Sequence, residues 1–192
     1  MRIQALGGVA LLALALAACD DPNDGFFDPI IREDTVDLGL PTTELELPSA
    51  LDVAYAVSPI RGRFPELVVD AEQWDLAIRA EDGTLVFVPA ATFGFQNPTG
   101  GTSRAALTLP MERAFEEVIE APTAGAFRSD TTIAILTGRV YVVRSRRTPV
   151  SFGGCENYAK VQPLSVDPVA GTVKLRVAGN ARCNDPRLVE DD

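Results

Sequence analysis

Apolar and polar side chains alternate with a period of two in several parts of this chain, and that pattern constrains the fold most. In residues 74–79 the large apolar side chains occupy every second position, and a second apolar stretch occupies residues 85–87. The turn-forming sequence Glu81-Asp82-Gly83 lies between them. Because alternation places one face of a strand against a core, these residues predict a β-hairpin.

Two later stretches are also typical of strands. Residues 140–146 predict one strand, and in residues 172–177 apolar side chains alternate with polar ones after the turn-rich sequence 167–171. Such strands, joined by short turns, are typical of antiparallel pairing. We therefore expect a mainly β chain, a single antiparallel-rich β domain.

One segment has helical spacing instead. Between Pro110 and Pro122 the apolar side chains recur at three- and four-residue intervals, as on one face of a helix. These side chains are Met111, Phe115, Val118 and Ile119. Four glutamates would form its solvated face, namely Glu112, Glu116, Glu117 and Glu120. The spacing predicts one short helix here.

The composition is that of a folded chain with many turns. Of 192 residues, 46% are hydrophobic and 23% are charged, with 15 Gly and 14 Pro. A chain of this size buries most of the surface that its unfolded form exposes, so we expect residues 30–192 to fold as one domain. The formal net charge of −10 opposes binding to nucleic acid or to anionic lipid headgroups through the protein surface.

The N-terminus has the features of an export signal. Arg2 precedes an uncharged, mostly apolar run that ends in Leu16-Ala17-Ala18-Cys19. This run is shorter than the roughly 20 apolar residues that span a bilayer. It fits the apolar region of a signal peptide better, and the final four residues form a bacterial lipobox. An ordinary secretory signal is the alternative.

On the lipobox interpretation, residues 1–18 are removed and Cys19 is lipidated. A diacylglyceryl thioether and an N-terminal acyl chain such as palmitate supply the two hydrophobic signals that stable anchoring requires. Residues 19–29 are acidic and rich in turn formers, which fits a tether between membrane and domain. The sequence thus predicts a lipid-anchored protein of the cell envelope, outside the cytoplasm. It does not distinguish between the inner and the outer membrane.

Two cysteines remain once Cys19 carries lipid. Cys155 and Cys183 are 28 positions apart, and disulfides persist outside the cytoplasm. A metal or redox pair is the alternative, but the spacing is long and no histidine accompanies the two thiols. We expect a disulfide.

The chain contains no histidine, which excludes the Ser-His-Asp and Cys-His catalytic groups and every histidine metal site. Paired carboxylates could still act in hydrolysis, but no Asp or Glu stands out by its sequence context. Residues 97–104 form a Gly-rich loop without the lysine of a phosphate-binding loop. We expect a protein that is not an enzyme.

A cluster of arginines and three large aromatic side chains are candidates for ligand binding. Arg144, Arg146 and Arg147 could bind an anion such as a carboxylate, although solvated arginines on an exposed strand face are the more common case. Three aromatic side chains could line a pocket, although core packing is the more general explanation. They are Trp74, Tyr141 and Tyr158.

Four stretches occur in an order that resembles the HmuY-like haem-binding bacterial lipoproteins. They are Gln73–Arg79 (QWDLAIR), Phe115–Phe127 (FEEVIEAPTAGAF), Arg139–Arg147 (RVYVVRSRR) and Tyr158–Val177 (YAKVQPLSVDPVAGTVKLRV). A Gly-rich loop near Gly100 lies where that family carries one. The resemblance covers residues 74–177.

The resemblance implies a mostly β envelope lipoprotein that holds haem between two side chains for iron acquisition. Relatives use paired histidines or paired methionines as axial ligands. This chain has no histidine, and Met111 is its only methionine besides Met1, so neither pair is available. Met111 fits the apolar stripe as a core residue, and tyrosine can ligate haem iron. Met111, Tyr141 and Tyr158 are therefore the candidate haem ligands.

Two hypotheses follow from the sequence. In the first, the chain binds haem with an atypical ligand set, or another apolar small molecule in the same pocket, with an envelope receptor as a possible partner. In the second, it is a structural or protein-interaction lipoprotein that keeps the fold and has lost the cofactor. The missing histidines favour the second, whereas the resemblance favours the first.

Overall fold

The computed structural model describes residues 28–41, 47–53, 73–93, 104–150 and 153–190. The chain is mainly β, with 49% strand and 6% helix, and its sheets are antiparallel. The predicted fold class is therefore confirmed. No helix in the described residues reaches seven residues, and the helical residues include short 3₁₀ turns at Ala90–Phe93 and Ala124–Ala126.

The described strands form three sheets. In chain order they are β1 (Ile31–Gly39), β2 (Ala50–Leu51), β3 (Leu76–Glu81), β4 (Thr84–Pro89), β5 (Ala106–Thr108), β6 (Phe127–Arg128), β7 (Ile133–Ala134), β8 (Tyr141–Arg144), β9 (Thr148–Val150), β10 (Gly153–Cys155), β11 (Tyr158–Asp167) and β12 (Thr172–Asn180). A six-stranded sheet has the order β1-β12-β11-β8-β5-β6, and a four-stranded sheet has the order β2-β3-β4-β7. Strands β9 and β10 pair with each other.

The hairpin expected near residue 80 is confirmed. Strands β3 and β4 pair from Leu76↔Pro89 to Glu81↔Thr84. Between them Asp82 and Gly83 have φ values of 49° and 77°, and two successive residues with positive φ form the tight turn whose twist matches that of the strands. The Asp-Gly sequence thus determines this connection.

The last two strands also form the expected hairpin. β11 and β12 pair through residues 167–172, where Gly171 has a φ of 67°. The Asp167 carboxylate accepts hydrogen bonds from the amides of Val169 and Ala170, which closes the turn. The register shifts between Pro163 and Ser165, because proline has no N–H for the ladder.

The helix predicted between Pro110 and Pro122 is wrong. Met111 and Val140 exchange backbone hydrogen bonds of 2.8 and 3.4 Å, and the amide of Ala121 donates to the carbonyl of Pro186 at 2.8 Å. These bonds join the segment to distant parts of the chain instead of to its own preceding turn. Phe115 and Val118 are buried whereas Ile119 is 59% exposed, so long-range backbone pairing has overridden the helical spacing of this segment.

The six-stranded sheet has an apolar cluster on each face. The inner core lies between this sheet and the four-stranded sheet, and combines side chains of both, such as Leu175 and Phe87. The outer cluster lies on the opposite face, where residues 111–121 and the tail 181–190 cover it; Phe115, Val118 and Leu188 belong to it. Alternate residues of the same strand therefore belong to different clusters: on β8, Val143 belongs to the inner core and Val142 to the outer cluster.

The C-terminal tail is joined to β10 by the expected disulfide. Cys155 and Cys183 are bonded, with their Cα atoms 4.9 Å apart. Asn180 is fully buried at the end of β12, and its side-chain oxygen accepts the amides of Ile30 and Arg182. No described helix is long and apolar enough to cross a membrane.

Candidate functional site

Several features predicted from the sequence lie outside the described residues. They are the signal peptide 1–18, the lipidation site Cys19 and the Gly-rich loop near Gly100. The tether 19–29 is described only from Asp28. The candidate ligands Met111, Tyr141 and Tyr158 all lie within the described residues and can be placed.

Tyr141 belongs to the inner core. Its side chain is fully buried and meets the ring of Phe87 edge-on at 5.2 Å. Its hydroxyl donates to the carbonyl of Ala134 at 2.8 Å and accepts the amide of Leu136 at 2.9 Å. Burial raises the pKa of this phenol. The hydroxyl thus fixes the loop after β7, and this arrangement leaves it facing the protein interior.

Met111 and Tyr158 lie on the other face of the same sheet. Both are half-buried and pack against the outer cluster. The ring of Tyr158 lies 6.3 Å from that of Phe127, and burial, with the nearby Glu156 carboxylate, raises its pKa. The structure therefore brings Met111 and Tyr158 to one cluster and places Tyr141 in another.

The expectation of solvated arginines is wrong for two of the three. The Arg144 side chain keeps 17% of its surface exposed, lies 5.2 Å from the centre of the Phe127 ring and is 3.8 Å from a Glu156 oxygen. Arg146 is equally covered and pairs with two carboxylates. Arg144 is the last residue of β8, and Arg146 lies two positions beyond it, outside the strand.

Asp52 and Asp75 are the carboxylates that bind Arg146, and both are fully buried. Arg146 donates from Nη2 to Asp52 at 2.9 Å and lies within 3.1 Å of Asp75 through Nη1. Asp75 also accepts the amide of Val53 at 2.9 Å and that of Arg146 at 2.7 Å. We call Asp52, Asp75 and Arg146 the buried triad.

The charge environment of Asp75 is unusual. Burial raises its pKa to about 7, against the lowering effect of Arg146, and the neighbouring Asp52 carboxylate raises it further. The triad was missed from the sequence. Its only signal is a pair of single acids, Asp52 and Asp75, each placed between apolar residues in strand-like stretches.

Residues 111–121 are held to the sheet by a buried lysine. Lys160 Nζ donates to the carbonyls of Phe115 and Val118 at 2.9 and 3.2 Å, and lies 4.6 Å from the centre of the Phe115 ring. The Arg176 guanidinium lies 4.0 Å from the same ring. Burial lowers the pKa of Lys160. Both cations lie against the Phe115 ring. These contacts, together with the hydrogen bonds of Lys160, hold the segment in place of helical hydrogen bonds.

An open groove of about 770 Å³ lies along this segment. Its walls come from residues 111–113 and 117–123, with Met111, Val118 and Ile119 as the larger apolar side chains. Three glutamates and one arginine supply its charge, namely Glu112, Glu117, Glu120 and Arg113. We call this the Met111 groove. Its volume is within the range of small-molecule sites.

The groove does not fit haem well. Met111 is its only wall residue with a soft ligating atom, and the three carboxylates would repel the two propionates of haem. Tyr141 lies on the other side of the sheet. The described residues contain no group of three or more metal-ligating side chains. Tyr141 and Met111 are therefore on opposite faces of the sheet and do not form one site.

Two of the four stretches that resemble the HmuY-like family contact each other in the fold. QWDLAIR contains Asp75, and RVYVVRSRR contains Arg146, and these two residues form an ion pair. Trp74 is fully buried in a third cluster with Ala77 and Val88. Comparisons with protein families, with curated proteins and with solved structures find no match to this chain.

Proposed function

We propose that this chain is a lipid-anchored envelope protein of HmuY-like type that binds a ligand without catalysis. The lipobox at Cys19 supports the anchor, and the order of the four family-like stretches supports the type. The absence of histidine supports a binding role over a catalytic one. The observation that carries the proposal is the Met111 groove, an open cleft with both apolar and charged side chains, whose wall includes one of the candidate ligand residues.

The charge of the groove defines the ligand class. Three carboxylates against the guanidinium of Arg113, with Glu112 also paired to Arg139, leave the rim with a net negative charge, and the whole chain has a formal charge of −10. A ligand that is apolar and cationic matches this rim, whereas a dianionic ligand is repelled. We therefore assign the groove to apolar cations, and place haem, with its propionates, as the weaker ligand.

The test uses two porphyrins that differ in charge. The protein, purified from membranes in a mild non-ionic detergent, is titrated with ferric haem and with a cationic porphyrin that carries no carboxylates, and the Soret band is followed. We expect saturable binding of the cationic porphyrin, with haem at least tenfold weaker. Glu117→Gln and Glu120→Gln together should reduce the difference in affinity between the two porphyrins, because they remove two negative charges from the rim.

Two substitutions at Met111 separate apolar contact from iron ligation. Met111→Leu keeps the apolar surface and removes the thioether, whereas Met111→Asp charges the groove. We expect Met111→Asp to weaken binding of the porphyrins and Met111→Leu to leave it unchanged. If Met111→Leu abolished a shifted haem Soret band, the ligand would be haem bound through sulfur. Spectra identical to those of free porphyrin in detergent would refute the groove as a ligand site.

A protein partner is the second candidate, and the exposed apolar residues beside the groove favour it. Ile119, in the wall of the groove, and Leu109, two positions before Met111, keep 59% and 56% of their surfaces exposed, and exposed apolar surface marks many interaction sites. A photo-crosslinking residue at Ile119 should capture a partner in the envelope, whereas one at Val169, which is 99% exposed in the β11–β12 turn, should not. Equal labelling from both positions would oppose this candidate.

A further inference from the structure

The buried triad joins the two large sheets at one end of the inner core. Asp75 directly precedes β3 of the four-stranded sheet, and Arg146 follows β8 of the six-stranded sheet. One oxygen of Asp75 accepts the backbone amide of Val53, which follows β2, while its other oxygen accepts the backbone amide of Arg146. A single carboxyl group therefore binds backbone from both sheets.

The guanidinium of Arg146 is shared between two carboxylates. It lies 2.9 Å from an Asp52 oxygen and 3.1 Å from an Asp75 oxygen, and both aspartates are fully buried. Burying a charge is costly unless that charge is fully paired. When both carboxylates are ionised, each repels the other while they share this cation. A proton on Asp75 removes that repulsion.

We propose that Asp75 is a proton-binding group that fastens the two sheets, tightly when it is protonated and more loosely when it is ionised. This inference is independent of the ligand proposed for the Met111 groove, because it concerns only the join between the sheets. It assigns to the chain a pH-dependent join between its two large sheets.

The other charged residues on the adjoining elements lie elsewhere. On β3, Arg79 pairs with Glu81 toward the hairpin turn, and β4 carries no charged residue. On β8, Arg144 lies over Phe127 on the opposite face of the sheet. Arg147 follows the triad and its side chain lies over Gly154. Within the described residues, Asp52 and Arg146 are thus the charged groups that act on Asp75, in agreement with the causes of its altered pKa.

The sign of the pH effect follows from the direction of this shift. Burial raises the pKa of Asp75 to about 7 in the fold, whereas an unfolded aspartate titrates near about 4. Between these values the folded state holds one proton more than the unfolded state, so stability falls as the pH rises and becomes constant above about 7. The chain has no histidine, so few other groups titrate in this window.

The first test needs no variant. Backbone NMR of the protein in detergent, from pH 4.5 to 8.5, follows the amides of Val53 and Arg146, which both donate to Asp75. We expect the two amides to titrate together with a midpoint near 7. A common midpoint below 5, or no titration of either amide, would overturn the proposal.

The second test measures the unfolding constant by urea denaturation over the same pH range. For the unmodified chain we expect it to rise by up to about tenfold per pH unit between pH 5 and 7, and then to level off. Asp75→Asn should make the constant independent of pH within about twofold. Asp37→Asn, an exposed acid on β1, is the matched control and should keep the full slope.

Two outcomes of the urea experiment would refute the proposal. A slope that persists in Asp75→Asn would assign the proton to another group and refute the proposal, as would a flat profile in the unmodified chain. If Asp75→Asn fails to fold, the amide titration of Val53 and Arg146 decides alone.

Discussion

The inner core and the outer cluster use the two faces of one six-stranded sheet, yet they are closed in different ways. The inner core is covered by a second sheet whose backbone is paired along β3 and β4. The outer cluster is covered by the irregular residues 111–121 and the tail 181–190. A paired sheet satisfies its own backbone groups, whereas an irregular cover requires other partners for them.

The two regions obtain those partners from different residues. Over the outer cluster, Lys160 supplies donors for the carbonyls of Phe115 and Val118, and the disulfide ties the tail to β10. Over the inner core, the buried charged side chains among the described residues lie at one end, where the buried triad joins the two sheets. Irregular cover leaves the Met111 groove open, and this is why the candidate ligand site lies there.

The largest effect is expected where the two sheets meet. Arg146→Gln removes the cation that Asp52 and Asp75 share, which leaves two carboxylates buried together. We expect a loss of about 3 to 5 kcal/mol in the free energy of unfolding at pH 7.5, measured by urea denaturation. Arg139→Gln removes an exposed pair with Glu112 and should cost less than about 1 kcal/mol. Similar losses in both variants would show that the join contributes no more than a surface pair.

The disulfide should come next, and it acts on the outer cluster. Replacing both Cys155 and Cys183 with Ser frees a loop of 28 residues and should cost about 3 to 4 kcal/mol on the chain-entropy model. We also expect faster hydrogen exchange at the amide of Leu188, which donates to Ile119 over this cluster. Unchanged exchange at Leu188 would mean that the tail is held without the bond.

A matched pair of neighbouring residues on β8 compares the two regions directly. Val143 faces the inner core and Val142 the outer cluster, and both are fully buried. Truncation to Ala should cost about 2 to 3 kcal/mol at Val143 and about 1 to 2 kcal/mol at Val142, because an irregular cover relaxes around a cavity more easily. Thermal unfolding of the two variants measures the difference. A larger cost at Val142 would reverse the comparison.

The smallest effect is expected at the lysine that fixes the irregular cover. Lys160→Met keeps most of the buried side-chain volume and removes the donors to Phe115 and Val118. We expect a loss of about 1 to 2 kcal/mol and faster proteolysis within residues 111–121. Lys174→Met, an exposed change on β12, is the control. Equal proteolysis in the two variants would show that backbone pairing alone holds the segment.

Local sequence determined much of the β structure. The alternation of side chains and the Asp82-Gly83 pair predict the β3–β4 hairpin, and the Asp167–Gly171 turn predicts the β11–β12 hairpin. Both predictions rest on interactions between residues close in the chain, for which pattern and turn chemistry are sufficient. The count of cysteines likewise identified the pair that forms the disulfide.

Only the tertiary structure decided where the remaining polar groups lie. Asp75 and Arg146 are 71 positions apart, and no local pattern indicates that they meet. The same holds for residues 111–121, whose spacing is helical but whose backbone pairs with Val140 and the tail. Tyr141, a candidate ligand by sequence, became a core residue through its position opposite Phe87. Periodicity reports which side of an element is apolar, whereas partners at long range depend on how the sheets are assembled.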